Sequence, residues 1–334
     1  GVSSNNELSS QYNVRGGNYD ENLVYVNDIE IYRPFLVRSG QQEGLSFVNP
    51  DLVGSLNFSA GGFEAKYGDK MSSVLDVKYK RPRKFAATVA GSLLGGSLHA
   101  EGSSKDYRFS YLAGFRYRSN QYILGSLDTD GAYRPRFMDA QALLNFDIDD
   151  KWSVSALFNY AQNRYQFVPE NRETDFGTIS DALRFTVYFD GQEVNTFETM
   201  LGALTTEYRP TPNLKLKLIV SAFRSNETET FDVQGQYFLG QLENNFGSDD
   251  LGEVAFNRGI GTFLDHARNY LTANVISARH IGKWFNGHRV LDWGVKYQYE
   301  SITDKLSEWA MIDSSGFSLP LNSGQLQISE VLKT

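Results

Sequence analysis

Between Leu291 and Glu300 the chain reads LDWGVKYQYE. Leu291, Trp293, Val295, Tyr297 and Tyr299 alternate there with Asp292, Gly294, Lys296, Gln298 and Glu300. In an extended strand successive side chains point to opposite faces, so the segment builds a strand with one apolar and one polar face. The same period recurs along most of the chain. Tyr107, Phe109, Tyr111, Ala113, Phe115 and Tyr117 share one face, and Arg108, Ser110, Gly114, Arg116 and Arg118 the other. Ala140, Ala142, Leu144 and Phe146 oppose Asp139, Gln141, Asn145 and Asp147, and Trp152, Val154, Ala156, Phe158 and Tyr160 follow. Leu214, Leu216, Leu218 and Val220 alternate with Lys215, Lys217 and Ser221, although Ile219 breaks the polar side. Leu271, Ala273 and Val275 interleave with Thr272 and Asn274.

A soluble sandwich would also alternate, so the connections must decide. Those at Ser103–Lys105, Asp149–Lys151, Arg209–Asn213 and Lys283–Gly287 are short, while polar stretches over 119–136, 162–196, 225–268 and 301–324 are long. Alternating tight turns and large loops are the layout of a transmembrane β-barrel, and such loops are rare inside compact soluble domains. Tyr107, Trp152, Tyr208 and Trp284 flank the short turns, where an interfacial aromatic girdle belongs. The sequence holds no apolar run of 18 residues, so no helix is expected to span a membrane; half-apolar strands escape that test. Residues 85–102 read either as two short strands with an outward turn near Gly95-Gly96 or as one long strand. The two-strand count gives about nine strands by residue 301, with GQLQISEVLKT opening a tenth.

Function classes narrow next. A formal charge of −8 and a pI near 5.2 argue against a nucleic-acid partner. No cysteine is present, which removes thiolate chemistry. There is no G-x-S-x-G, H-E-x-x-H or P-loop, so no enzyme is expected, and no cofactor. His99, His266, His280 and His288 are scattered. His280 and His288 could approach across a hairpin, but two lone histidines are more often surface residues than metal ligands. Asp128–Gly131 has a fragment of a calcium-loop spacing without the later glutamate, the acidic 246–253 stretch is similarly weak, and no metal site is expected.

Residues 1–80 behave differently. Gln11–Arg15, Leu23–Tyr32, Leu52–Ser59 and Val74–Tyr79 are strand-like pieces separated by glycine-rich links. NVRGG…NLVYVNDIEIYRP…FVNPDLVGSLNFSAGGFEAKYGDKMSSVLDVKYK, spanning Gln11 to Lys80, resembles the plug of TonB-dependent outer-membrane receptors. It is most similar to the pattern common in Bacteroidota, VRGG…VY(L/V)DG…NP…GGFPARYGGRLSSVLDV. Glu64, Lys66 and Asp69 stand where that pattern has proline, arginine and glycine, and Asn27-Asp28 replaces Asp-Gly. The chain also departs from the SusC-like branch, so a surface lipoprotein is only a secondary expectation as partner.

The resemblance implies an all-β membrane protein of the bacterial outer membrane. Residues 1–82 would be the plug domain, lacking its start, and 83–334 the N-terminal portion of the barrel. A barrel of eight or so strands is filled by its own side chains, and about 22 are needed to enclose a plug, so nine or ten antiparallel strands imply an incomplete chain. Expected partners are a TonB-type energy-coupling protein, outer-membrane lipid and lipopolysaccharide, and an external ligand of siderophore, cobalamin, oligosaccharide or peptide type. A larger outer-membrane complex is the further alternative, with the plugged barrel as a scaffold. The Tyr32–Gln42 segment would meet ligand at the plug apex through Tyr32, Arg33 and Arg38, with Tyr165, Phe167, Tyr237 and Phe238 as loop contacts. Arg15 would face a wall carboxylate such as Asp139, Asp292 or Glu300, or else remain an exposed turn arginine. Gly16 and Gly17 would let the backbone pack closely, and Gly61, Gly62, Lys66, Tyr67 and Gly68 would complete the plug motif against the wall.

Overall fold

The computed structural model describes residues 2–3, 12–17, 19–34, 45–64, 66–68, 70–119, 131–178, 180–314 and 317–320. Near the N-terminus β1 (Val2–Ser3) and β2 (Asn13–Val14) pair antiparallel. Next come β3 (Asn22–Val26), β4 (Ile29–Glu30), β5 (Val53–Ser59) and β6 (Ser73–Tyr79), a small sheet in the order β4-β3-β6-β5 with β3 and β6 parallel. All of β3, NLVYV, is buried, as a parallel strand covered on both faces must be. Its turn into β4 is two residues long, and Asn27 (φ 51°) and Asp28 (φ 68°) are both left-handed. A two-residue hairpin with matching twist needs positive φ at both centres, which Asn and Asp tolerate better than most residues.

From Ala86 on, the described strands make one antiparallel wall. Its strands are β7 (Ala86–Ser92), β8 (Gly95–Ser103), β9 (Phe109–Ser119), β10 (Gly131–Tyr133), β11 (Arg136–Asp147) and β12 (Trp152–Pro169). They continue as β13 (Arg172–Thr178), β14 (Asp181–Thr211), β15 (Leu214–Leu242), β16 (Val254–Asn286), β17 (Arg289–Lys305), β18 (Glu308–Ser314) and β19 (Phe317–Pro320). Residues 86–103 are two strands, closed where Ser92 meets Gly95. β10 continues the line of β11 along β12, and β18 continues that of β17 along β16. Counted as staves, the wall reaches its ninth at β17, and β19 starts another. The GQLQISEVLKT segment lies outside the described residues.

The strands run much farther than hydropathy suggests. Most of 162–196 and 225–268, expected as loops, is ladder: β14 and β15 stay paired from Leu183–Gln241 down to Tyr208–Leu216. Backbone pairing does not require apolar side chains, so polar Thr, Asn, Gln and Glu extend the wall beyond the apolar zone.

Two adjacent registers show what the faces do. Leu144, Ala156, Leu204, Val220 and Ala278 stand side by side on the outer face, where Leu204 is 58% exposed. One residue away Leu112, Leu143, Leu157, Ala203, Ser221 and Ser277 form the inner row, all buried. Outward positions of β12 stay apolar or aromatic from Trp152 to Tyr160, roughly 26 Å along the strand, the order of a lipid-facing band. Above it Gln162, Glu198, Arg224, Asn226 and Thr272 hydrogen-bond to one another in two groups, marking the polar edge. Trp152 and Tyr208 meet edge-on at 6.0 Å at the lower edge.

The apolar side is not always the outer side. Ile219, the residue that breaks the polar face of β15, is 3% exposed and packs with Val24, Val26 and Val77 in one core. Val275 belongs to the same core, so the apolar side of its segment faces inward and Thr272 and Asn274 face out. Leu112, Leu143, Leu157, Leu201 and Phe223 of the wall join the same core beneath the N-terminal sheet.

Candidate functional site

The site that matters is the seam between the N-terminal sheet and the inner face of the wall. One anchor grips the stretch before the 3₁₀ turn Pro50–Leu52. Arg116 on β9 makes a bidentate pair with Asp139 on β11, at 2.7 and 2.6 Å, with side chains only 10% and 4% exposed. The same guanidinium donates to the carbonyls of Val48 (3.1 Å) and Ser46 (2.8 Å). Gln141 donates to the Phe47 carbonyl at 2.5 Å and accepts from the Tyr79 hydroxyl at 2.6 Å. Three consecutive backbone carbonyls are thus held by wall side chains, two of them by one planar five-donor fork and the middle one by Gln141.

The turn itself demands a gap in the wall. A Cβ at Gly114 would lie 2.6 Å from Asn49 Nδ2 and 3.2 Å from Leu52 Cδ2. Gly114→Val is therefore expected to push the 49–52 turn off its seat and destabilise the full-length protein by about 1–3 kcal/mol. Limited proteolysis near residues 45–52 reads this out; unchanged protection would contradict the seat.

A second contact is ionic. Asp28 lies 2.5 Å from Lys217 of β15 and 2.5 Å from Lys78 of β6. Burial alone would raise the Asp28 carboxyl, but the two ammonium groups outweigh it and hold the pKa far below the usual range. Glu207 pairs with Lys215 (2.8 Å) and Lys217 (3.5 Å) behind it. Glu30 meets Lys296 of β17 at 2.5 Å. Arg279 of β16 sits over the Tyr25 ring, 5.3 Å from its centroid, and donates to the Lys66 carbonyl at 2.7 Å.

Of the residues expected at the apex, Tyr32 donates to Gln298 of the wall at 3.1 Å and packs on Phe223. Burial, with Glu30 adding, pushes its phenol up to about 12, so it stays a neutral donor. Arg33 pairs with Glu227 of β15. Arg38 lies outside the described residues. Tyr165 does not present itself as a ligand contact: it is 2% exposed, between Tyr133, Phe137 and Phe197. Phe167 is half-buried opposite Glu193, and Tyr237 leans on Phe185. Phe238 shares the outward face of β15 with Leu218 and Val220 and meets Tyr188, so it cannot line the interior.

The plug-motif residues divide in the same way. Arg15 (φ 51°) is an exposed turn residue whose guanidinium lies against Gly61, not against the wall. The wall carboxylates proposed for it are engaged elsewhere: Asp139 by Arg116, Asp292 near Lys283 at 3.7 Å, and Glu300 by Gln298. Gly16 (φ 84°) makes the turn, and a Cβ at Gly17 would strike Ser72 Oγ, which explains the close backbone approach. Gly61 and Gly62 are both left-handed, whereas Gly68 has open space around it. Lys66 keeps its side chain within the N-terminal unit, 2.9 Å from Glu64 and over the Tyr67 ring, while Tyr67 donates to Asp76. Only the Lys66 carbonyl reaches the wall.

Sequence reading missed Arg116, Gln141, Lys217 and Arg279 as the holders of this seam. Period-two parity already put Arg116, Gln141 and Lys217 on the polar, inward face; which backbone they meet is invisible to it. Among the described residues no group of three or more His, Asp or Glu side chains could hold a metal ion.

Comparison with known proteins bears on the N-terminal unit first. Residues 1–74 match the TonB-dependent Receptor Plug Domain model. No curated protein sequence matches significantly. Among solved structures the chain is similar to the pyoverdine receptor FpvA of Pseudomonas aeruginosa PAO1, with 12% identity over 93% of this chain and 56% of that one, TM-score 0.38. It is similar also to the ferric yersiniabactin receptor FyuA of Yersinia pestis (10%, 92% and 58%, TM-score 0.38). The hemophore receptor HasR of Serratia marcescens gives 9%, 93% and 56%, TM-score 0.37. The chain spans a little over half the length of these proteins. At such TM-scores they carry no argument, and the assignment rests on the plug match and on the strand wall that follows it. Residues 1–74 thus carry the plug domain of TonB-dependent receptors, and a contiguous run of antiparallel strands follows it.

Proposed function

We propose that the protein takes up a scarce or bulky ligand across the outer membrane, driven by a TonB-type energy-coupling protein in the periplasm. Residues 1–82 act as the plug and 83–334 as part of the enclosing wall. The observation that carries this reading is the seam itself. The plug is held by a shared apolar core, by side-chain bonds to its backbone and by ion pairs, all non-covalent contacts that a pull can separate. Tyr32 and Arg33 lie at the interior surface where a ligand would press on the plug. Phe167 and Tyr237, farther along the inner face of the wall, are the candidate aromatic contacts for it.

The ligand is of siderophore, cobalamin, oligosaccharide or peptide type, and the plug's chemistry does not select among these. The test uses cells expressing the full-length receptor, with a panel of ferric siderophores, cobalamin, oligosaccharides and peptides as probes. At least one probe is expected to accumulate only when receptor and coupling protein are both present. Accumulation indifferent to the coupling protein across the panel would overturn transport and leave the plugged barrel as a scaffold.

A further inference from the structure

Below the apex the seam opens into a cavity of about 980 Å³ between the β3–β4 hairpin, the Glu64–Gly68 segment and the inner faces of β15–β17. Lys66, Lys215, Lys217, Lys283, Lys296 and Arg279 line it, with Asp28, Glu64 and Asp292. Six cationic groups thus face three carboxylates, of which Glu64 and Asp292 are open and Asp28 is not. Asp28, Glu30 and Glu207 lie deep, their side chains 21%, 13% and 15% exposed. Lysines cap them: Lys215, Lys296 and Lys283 keep 37%, 31% and 52% of their side chains open to the space. Arg279 takes backbone carbonyls and a ring face, so no carboxylate neutralises it among the described residues. A solute entering the cavity therefore meets an excess of ammonium and guanidinium groups over carboxylates, inside walls that focus the field.

The placement of Asp28 completes the device. A glycine in that turn would accept the left-handed backbone with less strain, yet would supply no carboxylate to Lys217 and Lys78. Moving the hairpin away from the wall would uncover Lys217 and Lys296 together.

We infer that this cavity is an anion-preferring passage, which carries carboxylate- or phosphate-bearing solutes between the plug hairpin and β15–β17 toward the short-turn end of the barrel. The inference rests on the transport reading above. The passage is local in its preference, because Phe231 higher on the inner face stands opposite Glu193 and two residues from Glu229.

This chain contains no cysteine, so a single introduced thiol reports on one place. Full-length receptor, free of other cysteines, carries Ile281→Cys, Gln298→Cys or Phe231→Cys and is purified in detergent. Each is treated with a sulfonate-bearing and a trimethylammonium-bearing methanethiosulfonate, with rates normalised to a free thiol. At Ile281→Cys and Gln298→Cys the anionic reagent is expected to react roughly tenfold faster than the cationic one. At Phe231→Cys the order is expected to reverse, and Lys215→Gln with Lys283→Gln should pull the cavity ratio toward one. In cells, external labelling of Ile281→Cys by the sulfonate reagent should require the coupling protein. A ratio at or below one at both cavity positions overturns the inference, as does labelling in cells that ignores the coupling protein. Failure of the transport reading itself would appear separately, as probe uptake insensitive to the coupling protein.

Discussion

Asp139→Asn is expected to loosen the plug more than any other single polar change. It leaves the Arg116 guanidinium buried, bonded to two plug carbonyls, without the carboxylate that balances its charge. Removing one partner of a buried pair destabilises by about 3–5 kcal/mol, chiefly through the stranded charge. Two measurements on the full-length protein separate the causes. Thermal unfolding in detergent reports the loss, and amide exchange over residues 45–52 should rise strongly. The double change Arg116→Met, Asp139→Leu removes both charges and is expected to recover most of the unfolding temperature. Exchange over 45–52 should stay high in that double variant, because the bonds to Ser46 and Val48 are gone. Recovery of both readouts would mean that the pair props the wall and does not hold the plug.

Leu204→Arg acts on the opposite face. Leu204 stands in the outer row between Ala156 and Val220 and is 58% exposed. In lipid an arginine near the midplane of a barrel's apolar band costs about 2–4 kcal/mol. Assembly into lipid vesicles should fall accordingly, measured by heat-modifiable migration of the full-length protein. The inward neighbour makes the control: Ser221→Thr, one register across on the inner row, should assemble normally. In water the outcome would invert, since a charge on an exposed apolar face improves solubility. The sign of the effect therefore distinguishes a membrane wall from a soluble sheet.

Much of this architecture is legible in the residues, for a definite reason. A wall that separates lipid from a polar interior forces its strands to alternate: Leu291–Glu300 does so without interruption and Tyr107–Arg118 with one, Leu112. The exceptions carried the most information. Ile219 looked like a flaw in the pattern and is a point where the plug core touches the wall. Strand length was hidden, because β14 and β15 continue as paired backbone after their side chains turn polar. The plug's position was foreshadowed by its motif, but its grip was not. A charged plug residue seemed the natural partner for a wall carboxylate, and Arg33 does pair with Glu227, yet Asp139 is held by Arg116 from the next strand and meets no plug cation; at that anchor the plug offers carbonyls. Backbone acceptors leave no mark on sequence. Tyr165 misled in the same way: an aromatic residue in a polar stretch belongs to a buried cluster once the strand that carries it is seen to continue.

The central claim is that the wall stands in lipid on one face and against the plug on the other. Spin labels placed singly along Leu201–Tyr208 and Leu216–Phe223 of the full-length protein in lipid vesicles test it most directly. Oxygen accessibility should peak at Leu204, Leu218 and Val220, where a water-soluble nickel chelate should find nothing. Labels at Ala203 and Ile219 should be immobile and shielded from both reagents. If the chelate reaches the outer row, or the inner row is as mobile as the outer, the lipid-embedded, plugged wall is wrong.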